Sequence, residues 1–258
     1  MAKKIAIANT KGGIGKTSTA IALTDGLRQK KKKTLLIDAD PNSTSSTQVY
    51  RAVTDNVATL TDVLYDGLPA QDAIQHLEYG DIIPVDPELT LADTKIAADA
   101  NRFYHLKDAC DALEDMYDYI VIDCPPGNGV ILGNVLSYVD EVIIPITCDS
   151  FGLQCLDSFK DIMDTYKKRI NEKLHICGVL ITMYEGRQAL TRDLEENTIP
   201  EELKYLNTTL FNTRIRRSVR LKESQLFSMP VMEYAKNSTV ALDYQAFTEE
   251  VIRRCKRK

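Results

Sequence analysis

Short apolar runs rich in β-branched residues alternate along this chain with longer stretches in which apolar residues recur at helical spacing. This alternation is typical of βαβ units, in which each strand of a parallel sheet is followed by a helix that packs on one of its faces. Most of the short runs are almost continuously apolar, as expected for strands that helices cover on both sides. The predicted strands are residues 4–8, 34–38, 81–84, 119–123, 141–147, 176–182 and 209–211.

The intervening stretches complete the predicted fold class, which is α/β with a doubly wound, mostly parallel sheet flanked by helices. No segment is rich enough in Pro, Gly or Ser to be a domain linker, so we expect a single domain over residues 1–258. No run of about 18 apolar residues is present, which argues against a membrane span and favours a cytoplasmic protein. The predicted helices are residues 16–30, 60–64, 68–76, 103–117, 130–136, 152–171, 187–197 and 240–256.

A glycine-rich loop lies between the first predicted strand and the first predicted helix. Glycines let successive backbone N–H groups approach phosphate oxygens, and the helix N-terminus adds its positive end. The strict GxxxxGK[ST] pattern fails because position 10 is Thr, but the variant KGGxGK[ST] is present. The pattern predicts a phosphate-binding loop in which Lys16 reaches the phosphates and Thr17 ligates Mg²⁺. Its residues are Lys11, Gly12, Gly13, Ile14, Gly15, Lys16, Thr17 and Ser18.

Two further predicted strands end in carboxylates. Asp38 and Asp40 end the second strand, and Asp123 ends the apolar run at 119–123. Ligands of α/β proteins bind at the carboxyl edge of the sheet, and carboxylate oxygens suit Mg²⁺ directly or through water. These three acids therefore strengthen the prediction of a nucleotide and magnesium site.

Taken together, these motifs resemble the deviant-Walker-A class of P-loop NTPases, and most closely the ParA/Soj-type partition ATPases. The family order KGGxGKT, DxDP, IDxPP, IP, GVLxTMY and VRLxE is kept here over nearly the whole chain. Two segments depart from it: residues 40–44 read DPNST where DPQGN is frequent, and Arg216 replaces a proline. Neither departure touches the phosphate loop.

The resemblance implies a weak intrinsic ATPase that uses ATP/ADP and Mg²⁺ and forms a homodimer on ATP. Lys11 would reach the partner's nucleotide, Lys16 the chain's own phosphates, and Asp40 would position the attacking water. Asp38 and Asp123 would support the Mg²⁺ site together with Thr17. A ParB-type partner protein would stimulate hydrolysis. The residues expected near the adenine are Thr182, Met183, Ile215, Arg216 and Arg217.

The net charge of the chain argues against a nucleic-acid partner, whereas the distribution of charge along the chain favours one. The formal net charge is −5, but residues 1–33 sum to +8, residues 34–166 to −19 and residues 167–258 to +6. Residues 214–222 hold five basic residues and no acidic one, a cluster that can neutralise phosphates without reading bases. We expect nonspecific binding of double-stranded DNA, and hence a nucleoid-associated protein. The predicted DNA-binding residues are Arg187, Arg214, Arg217, Arg220 and Lys222.

Three alternatives stay open at this stage. The cluster at 214–222 could be a solvated basic face. A MinD-like positioning ATPase would share the loop but end in an amphipathic membrane helix, whereas the last predicted helix here carries Asp243, Glu249 and Glu250 on its polar face. A metabolic or metal-cofactor enzyme of the same superfamily is the third alternative, although the six cysteines form no CxxC pair.

Overall fold

Eight strands form one sheet in the computed structural model, which describes residues 1–42, 45–186 and 197–255. The strand order is β3-β4-β2-β5-β1-β6-β7-β8, and every neighbouring pair is parallel except β3 and β4. The mostly parallel sheet confirms the predicted α/β fold class. The strands are β1 Lys3–Ile7, β2 Thr34–Asp38, β3 Gln75–Leu77, β4 Gly80–Ile83, β5 Tyr119–Asp123, β6 Glu141–Thr147, β7 His175–Tyr184 and β8 Leu210–Arg216.

Helices cover both faces of this sheet. Successive residues of a strand point to opposite faces, so a strand that is apolar throughout needs helices packed on both sides. In β1, Ile5 and Ile7 pack into one apolar cluster, whereas Ala6 packs into the other. The first cluster includes residues of the helices Lys16–Gln29 and Thr239–Cys255, and the second includes residues of the helices Val130–Tyr138 and Ser150–Arg169. The helices are α1 Lys16–Gln29, α2 Ser45–Val49, α3 Leu60–Tyr65, α4 Ala92–Lys95, α5 His105–Ala109, α6 Val130–Tyr138, α7 Ser150–Arg169, α8 Ile199–Tyr205, α9 Val219–Leu226, α10 Val231–Tyr234 and α11 Thr239–Cys255.

The register of the central strands brings the predicted acids together. Asp123 at the end of β5 lies opposite Asp38 of β2 on one side and Ile7 of β1 on the other. Since these strands are parallel, their carboxyl ends share one edge, and the glycine-rich loop leaves β1 at that same edge. The sheet thereby assembles the predicted site from segments more than 100 residues apart in sequence.

Two predicted helices are wrong in part. Residues 68–76 form only a short 3₁₀ turn, Ala70–Ala73, followed by β3. The strand forms because Gln75 to Leu77 pair antiparallel with β4 across the turn at residues 78–79, and Gly80, which begins β4, has a φ of 124°. The predicted helix at 103–117 is interrupted after Ala109 and continues as the 3₁₀ turn Asp111–Asp115. Most of the predicted helix at 187–197 lies outside the described residues.

The last helix packs on the body of the protein along its apolar face. Val240, Tyr244, Phe247 and Val251 are buried in the cluster that includes α1 and β8. Glu250 of α11 also accepts hydrogen bonds from the backbone N–H groups at 212 and 213 in β8, at 2.9 and 3.1 Å. Among residues 1–42, 45–186 and 197–255, no helix has the length and apolar content needed to cross a bilayer.

Candidate functional site

The glycine-rich loop forms an open cradle in front of α1. Gly13 and Gly15 have φ values of 71° and 86°, a left-handed conformation that favours glycine. A Cβ at Gly12 or Gly13 would meet no heavy atom within 4 Å apart from those of its chain neighbours, so no other part of the described protein packs against the loop at these two positions. No side chain caps the N-terminus of α1, and its first turn holds no acidic residue. The loop and the helix end therefore suit an anion such as a phosphate group.

Lys16 is held inside this cradle. Its side chain bends back so that Nζ donates to the carbonyl oxygen of Lys11 at 2.9 Å, and only 5% of the residue is exposed. Burial lowers the pKa of Lys16, while the nearby carboxylates of Asp123 and Asp40 oppose that shift. The ammonium group thus lies beside the loop and within the electrostatic influence of both carboxylates.

Asp38 and Asp123 are fully buried side by side at the sheet edge. Burial raises the pKa of Asp123 to about 7, and hydrogen bonding from Thr17 and Ser46 opposes that shift. Burial raises the pKa of Asp38 well above its usual range, and the neighbouring Asp123 charge adds to the increase. The two carboxyl groups are therefore costly to ionise together unless a cation joins them.

The oxygens of Asp123 differ in their partners. Ser46 Oγ donates to Asp123 Oδ2 at 2.9 Å, whereas Asp123 Oδ1 is buried without a hydrogen-bond partner among the described residues. An unpaired buried carboxylate oxygen is unfavourable, and hard cations such as Mg²⁺ prefer oxygen ligands. The residues at this edge, Thr17 included, therefore fit a magnesium ion.

Asp40 lies at the mouth of the same site. Its Oδ1 accepts a hydrogen bond from the Asn42 backbone N–H at 3.0 Å, and its own N–H donates to Asp38 Oδ1 at 3.3 Å. These bonds fix the backbone turn that follows β2. The structure thus brings Asp40 next to Lys16, as expected for a residue that acts on a phosphate ligand.

Lys11, at the start of the loop, extends toward β6. Its Nζ lies 3.4 Å from Asp149 Oδ1, and Asp149 in turn caps α7 by accepting from the Gly152 N–H at 2.7 Å. Asn9 braces the base of the loop, since its amide donates to the Pro145 carbonyl at 2.8 Å and accepts from the Lys11 N–H at 3.2 Å. Lys11 is half-buried, so its side chain remains accessible from outside the site.

The residues predicted near the adenine lie together at the ends of β7 and β8. Thr182 is buried, and its hydroxyl donates to the carbonyl oxygens of Ile14 and Ile146 at 2.7 and 3.0 Å. It therefore supports the phosphate loop directly. Met183 is partly exposed with a φ of 51°, and Ile215 is buried. Their contact with an adenine stays a prediction.

The predicted DNA-binding residues are divided by the structure. Arg217 and Arg220 have 70% and 53% of their side chains exposed at the N-terminal end of α9, and Lys222 is exposed on that helix. Arg214 is half-buried in β8, with its guanidinium donating to the Phe211 carbonyl. Arg187 lies outside the described residues.

Three arginines of the cluster have carboxylate partners. Arg216 donates to Asp243 at 2.5 and 2.9 Å, and its backbone N–H donates to the same side chain at 3.0 Å. Arg217 pairs with Glu185 at 2.9 Å, and Arg220 pairs with Glu223 at 2.7 Å. Arg216 is thus fixed to α11 by several bonds, whereas the ion pairs of Arg217 and Arg220 lie at the surface.

Comparison with known proteins agrees with this geometry. A family described as "AAA domain" matches residues 2–176. "Chromosome partitioning protein ParA" of Myxococcus xanthus is 32% identical over 97% of this chain and 88% of its own length. "Sporulation initiation inhibitor protein Soj" of Bacillus subtilis is 35% identical over 97% of this chain and 98% of its own length. The chain belongs to the ParA/Soj family. The resemblance inferred from the sequence motifs is therefore confirmed.

A solved relative of the wider superfamily contains the expected ligands. Cobyrinic acid a,c-diamide synthase of Mycobacterium smegmatis, whose structure holds ADP and magnesium, superposes with a TM-score of 0.84 at 25% identity. The match covers 100% of this chain and 96% of that one. The predicted cofactor class, ATP/ADP with Mg²⁺, agrees with the ligands of this ParA/Soj superfamily member.

Sequence analysis missed three residues of the ParA/Soj-type site. Ser46 and Thr47 donate hydroxyl hydrogen bonds to Asp123 and Asp38 at 2.9 and 2.8 Å. Asn9 holds the start of the loop. The run of Ser and Thr that follows Asp40 was a visible signal of polar contacts, but the sequence does not say which buried acid such hydroxyls would meet.

Proposed function

We propose that this protein is an ATP-dependent DNA partition ATPase, which binds DNA nonspecifically as an ATP-bound dimer and releases it after hydrolysis. The observation that carries the ATPase part is the meeting of Lys16, Asp40 and the Asp38–Asp123 pair, all buried, at the sheet edge from which the glycine-rich loop leaves. The partition role is supported by relatives with that name that match the chain over nearly its full length.

Each residue has a distinct part in the proposed reaction. The loop N–H groups and Lys16 bind and orient the phosphates of ATP, and Asp40 orients the attacking water from the mouth of the site. Thr17, Asp38 and Asp123 would hold Mg²⁺, and the bound ion would neutralise charge on the phosphate oxygens. No strong general base lies among the residues named, so intrinsic hydrolysis is slow. A ParB-type partner protein accelerates it.

Dimerisation is assigned to Lys11. Its side chain is half-buried at the start of the loop and pairs with Asp149 at 3.4 Å, and in the proposed dimer it would leave Asp149 and reach a nucleotide held by a second copy. A cation supplied across the interface would stabilise the negative charge of the phosphates only when both copies are present. ATP would therefore link the two subunits.

DNA binding is assigned to the exposed basic residues Arg217, Arg220 and Lys222. Exposed ion pairs contribute little to stability, so Glu185 and Glu223 can give way to DNA phosphates. Arg216 has a structural role instead, because three hydrogen bonds hold it to Asp243. A protein with this function works on the nucleoid in the cytoplasm.

Light scattering with ATP and Mg²⁺ tests the proposed cycle. Asp40→Ala should bind ATP, hydrolyse it far more slowly than the wild type, and remain dimeric. Adding Lys11→Ala to that variant should leave a monomer that still binds ATP. Hydrolysis at the wild-type rate in Asp40→Ala, or an unchanged dimer in the double variant, would contradict the assigned roles.

A further inference from the structure

Helix α2 holds both buried carboxylates of the nucleotide site. Asp38 Oδ2 accepts from the Thr47 backbone N–H at 2.9 Å and from the Thr47 hydroxyl at 2.8 Å, and Asp123 Oδ2 accepts from Ser46. The Thr47 oxygen also accepts from the backbone N–H of Val85, beyond β4, at 3.2 Å. The start of this five-residue helix is therefore fixed chiefly by the groups expected to meet magnesium.

The other end of α2 packs against the basic helix. Val49 is buried in the apolar cluster in which Leu221 of α9 takes part. The two side chains line one narrow cleft together with Ser18 and Ile21 of α1, Ser224 of α9, and Met229, which follows α9. Leu221 lies between Arg220 and Lys222 in sequence, so the cleft is the inner side of the proposed DNA surface.

We propose that Ser46 and Thr47 are positioning residues for the two strand-end carboxylates, and that α2 transmits the state of the nucleotide site to the basic helix α9. The proposal rests on the proposed function and adds the route by which ATP would control DNA binding.

The distances make this route short. Ser46 and Val49 are three residues apart, so about 4.5 Å of helix separates the hydrogen bonds to the site from the contact with α9. A cation at Asp38 and Asp123 would bind the same two carboxylates that Ser46 and Thr47 hold through their Oδ2 atoms, and a change in the position of either carboxylate would change the position that α2 prefers. Since Leu221 packs against the cluster that contains Val49 and both side chains line the same cleft, a shift of Val49 would move Leu221 and with it the charged residues on either side of it.

Hydrogen exchange on the full chain tests the route without DNA. Adding the slowly hydrolysed analogue ATPγS with Mg²⁺ should slow amide exchange in residues 219–229 by about fivefold, the low end of typical coupling between sites. Val49→Ala should lose this response while still binding a fluorescent ATP analogue. Val63→Ala is the matched control, because it removes the same atoms from a buried position in α3 on the other face of the sheet.

The hydrogen bonds from Thr47 to Asp38 are tested separately. Thr47→Val keeps the shape of the side chain but removes the hydroxyl, and should raise the Mg²⁺ concentration needed for the exchange response. Thr47→Ser, which keeps the hydroxyl, should restore the wild-type Mg²⁺ dependence. A merely structural role for Thr47 would leave that dependence the same in all three proteins.

The possible outcomes distinguish a failure of the proposed function from a failure of the route through α2. If no ATP analogue binds, both the proposed function and this route fail. If the analogue binds but exchange at 219–229 does not change, or if Val49→Ala and Val63→Ala respond alike, the route through α2 is wrong and the proposed function stands.

Discussion

The nucleotide site and the basic surface carry charge in opposite ways. At the nucleotide site, Lys16, Asp38 and Asp123 are buried, and one oxygen of Asp123 has no hydrogen-bond partner among the described residues. At the basic surface, Arg217 and Arg220 are exposed, and each already pairs with a glutamate. Buried charges are stable only with full compensation, whereas exposed pairs exchange partners at little cost.

This difference says what each region needs. The nucleotide site is incomplete as protein alone, so its geometry points strongly to an anion and a cation. The basic surface is electrostatically satisfied without a ligand, so its geometry permits DNA but does not require it.

Lys16→Ala should have the largest effect. Its ammonium group is the buried cation of the cradle, and we expect ATP turnover to fall about 100-fold or more. Lys30→Ala is the control, since Lys30 lies just beyond the other end of α1 in an exposed pair with Glu249. If both variants lost ATP turnover to the same extent, the contrast between buried and exposed charge would be wrong.

Asp123→Asn should stabilise the nucleotide-free protein at pH 8. The folded protein holds the Asp123 proton up to a pKa of about 7, whereas the unfolded chain loses it near 3.8. Stability is therefore lost as the pH rises from about 4 to 7, by as much as a few kcal/mol at about 1.4 kcal/mol per pKa unit.

Urea unfolding without nucleotide at pH 4 and pH 8 measures this effect. The variant and the wild type should be similar at pH 4, and the variant should be more stable at pH 8. Equal stability of the variant and the wild type at both pH values would mean that ionisation of Asp123 does not destabilise the folded protein.

Replacing Arg217 and Arg220 together by Ala should weaken DNA binding about tenfold at moderate salt. It should also reduce the slope of log affinity against log salt concentration by about 2, because each arginine would neutralise about one DNA phosphate. Because Arg217 is also predicted to lie near the adenine, ATP turnover without DNA is compared with that of Arg220→Ala alone, which should stay unchanged since Arg220 pairs with Glu223 at the surface. An unchanged salt slope would move the DNA surface to other residues.

Glu223→Gln should have the smallest effect, in the opposite direction. It releases Arg220 from an exposed ion pair, so DNA affinity should rise roughly two- to fivefold. Glu88→Gln, which changes another exposed glutamate that pairs with Lys95 far from the basic surface in sequence, is the control. Weaker DNA binding by Glu223→Gln would mean that the ion pair orders Arg220 for DNA.

The sequence predicted the nucleotide site better than the basic surface for a physical reason. The loop, α1 and the strand ends at Asp38 and Asp123 follow from local patterns of glycine and apolar residues, and the structure has them at the predicted positions. The pairing of Arg217 with Glu185 joins residues 32 apart through the β7–β8 edge, which no local pattern reveals.

Other features depended on tertiary contacts in the same way. The strand β3 has only three half-buried or exposed residues and exists through its pairing with β4, so its sequence resembles a helix end. The hydroxyl of Ser46 meets Asp123, 77 residues later in the chain, only after β2 and β5 have paired. The Ser/Thr run that follows Asp40 therefore predicted polarity but not its target.

DNA retention in three nucleotide states tests the central claim most directly. The wild-type protein would be titrated onto unrelated double-stranded DNA sequences with ATP, with ADP and without nucleotide, all with Mg²⁺, beside a sedimentation assay on anionic liposomes. We expect tight binding to every DNA sequence in the presence of ATP but not of ADP or without nucleotide, and no sedimentation with liposomes. DNA binding of equal strength in all three states, or ATP-dependent binding to liposomes in place of DNA, would contradict the central claim.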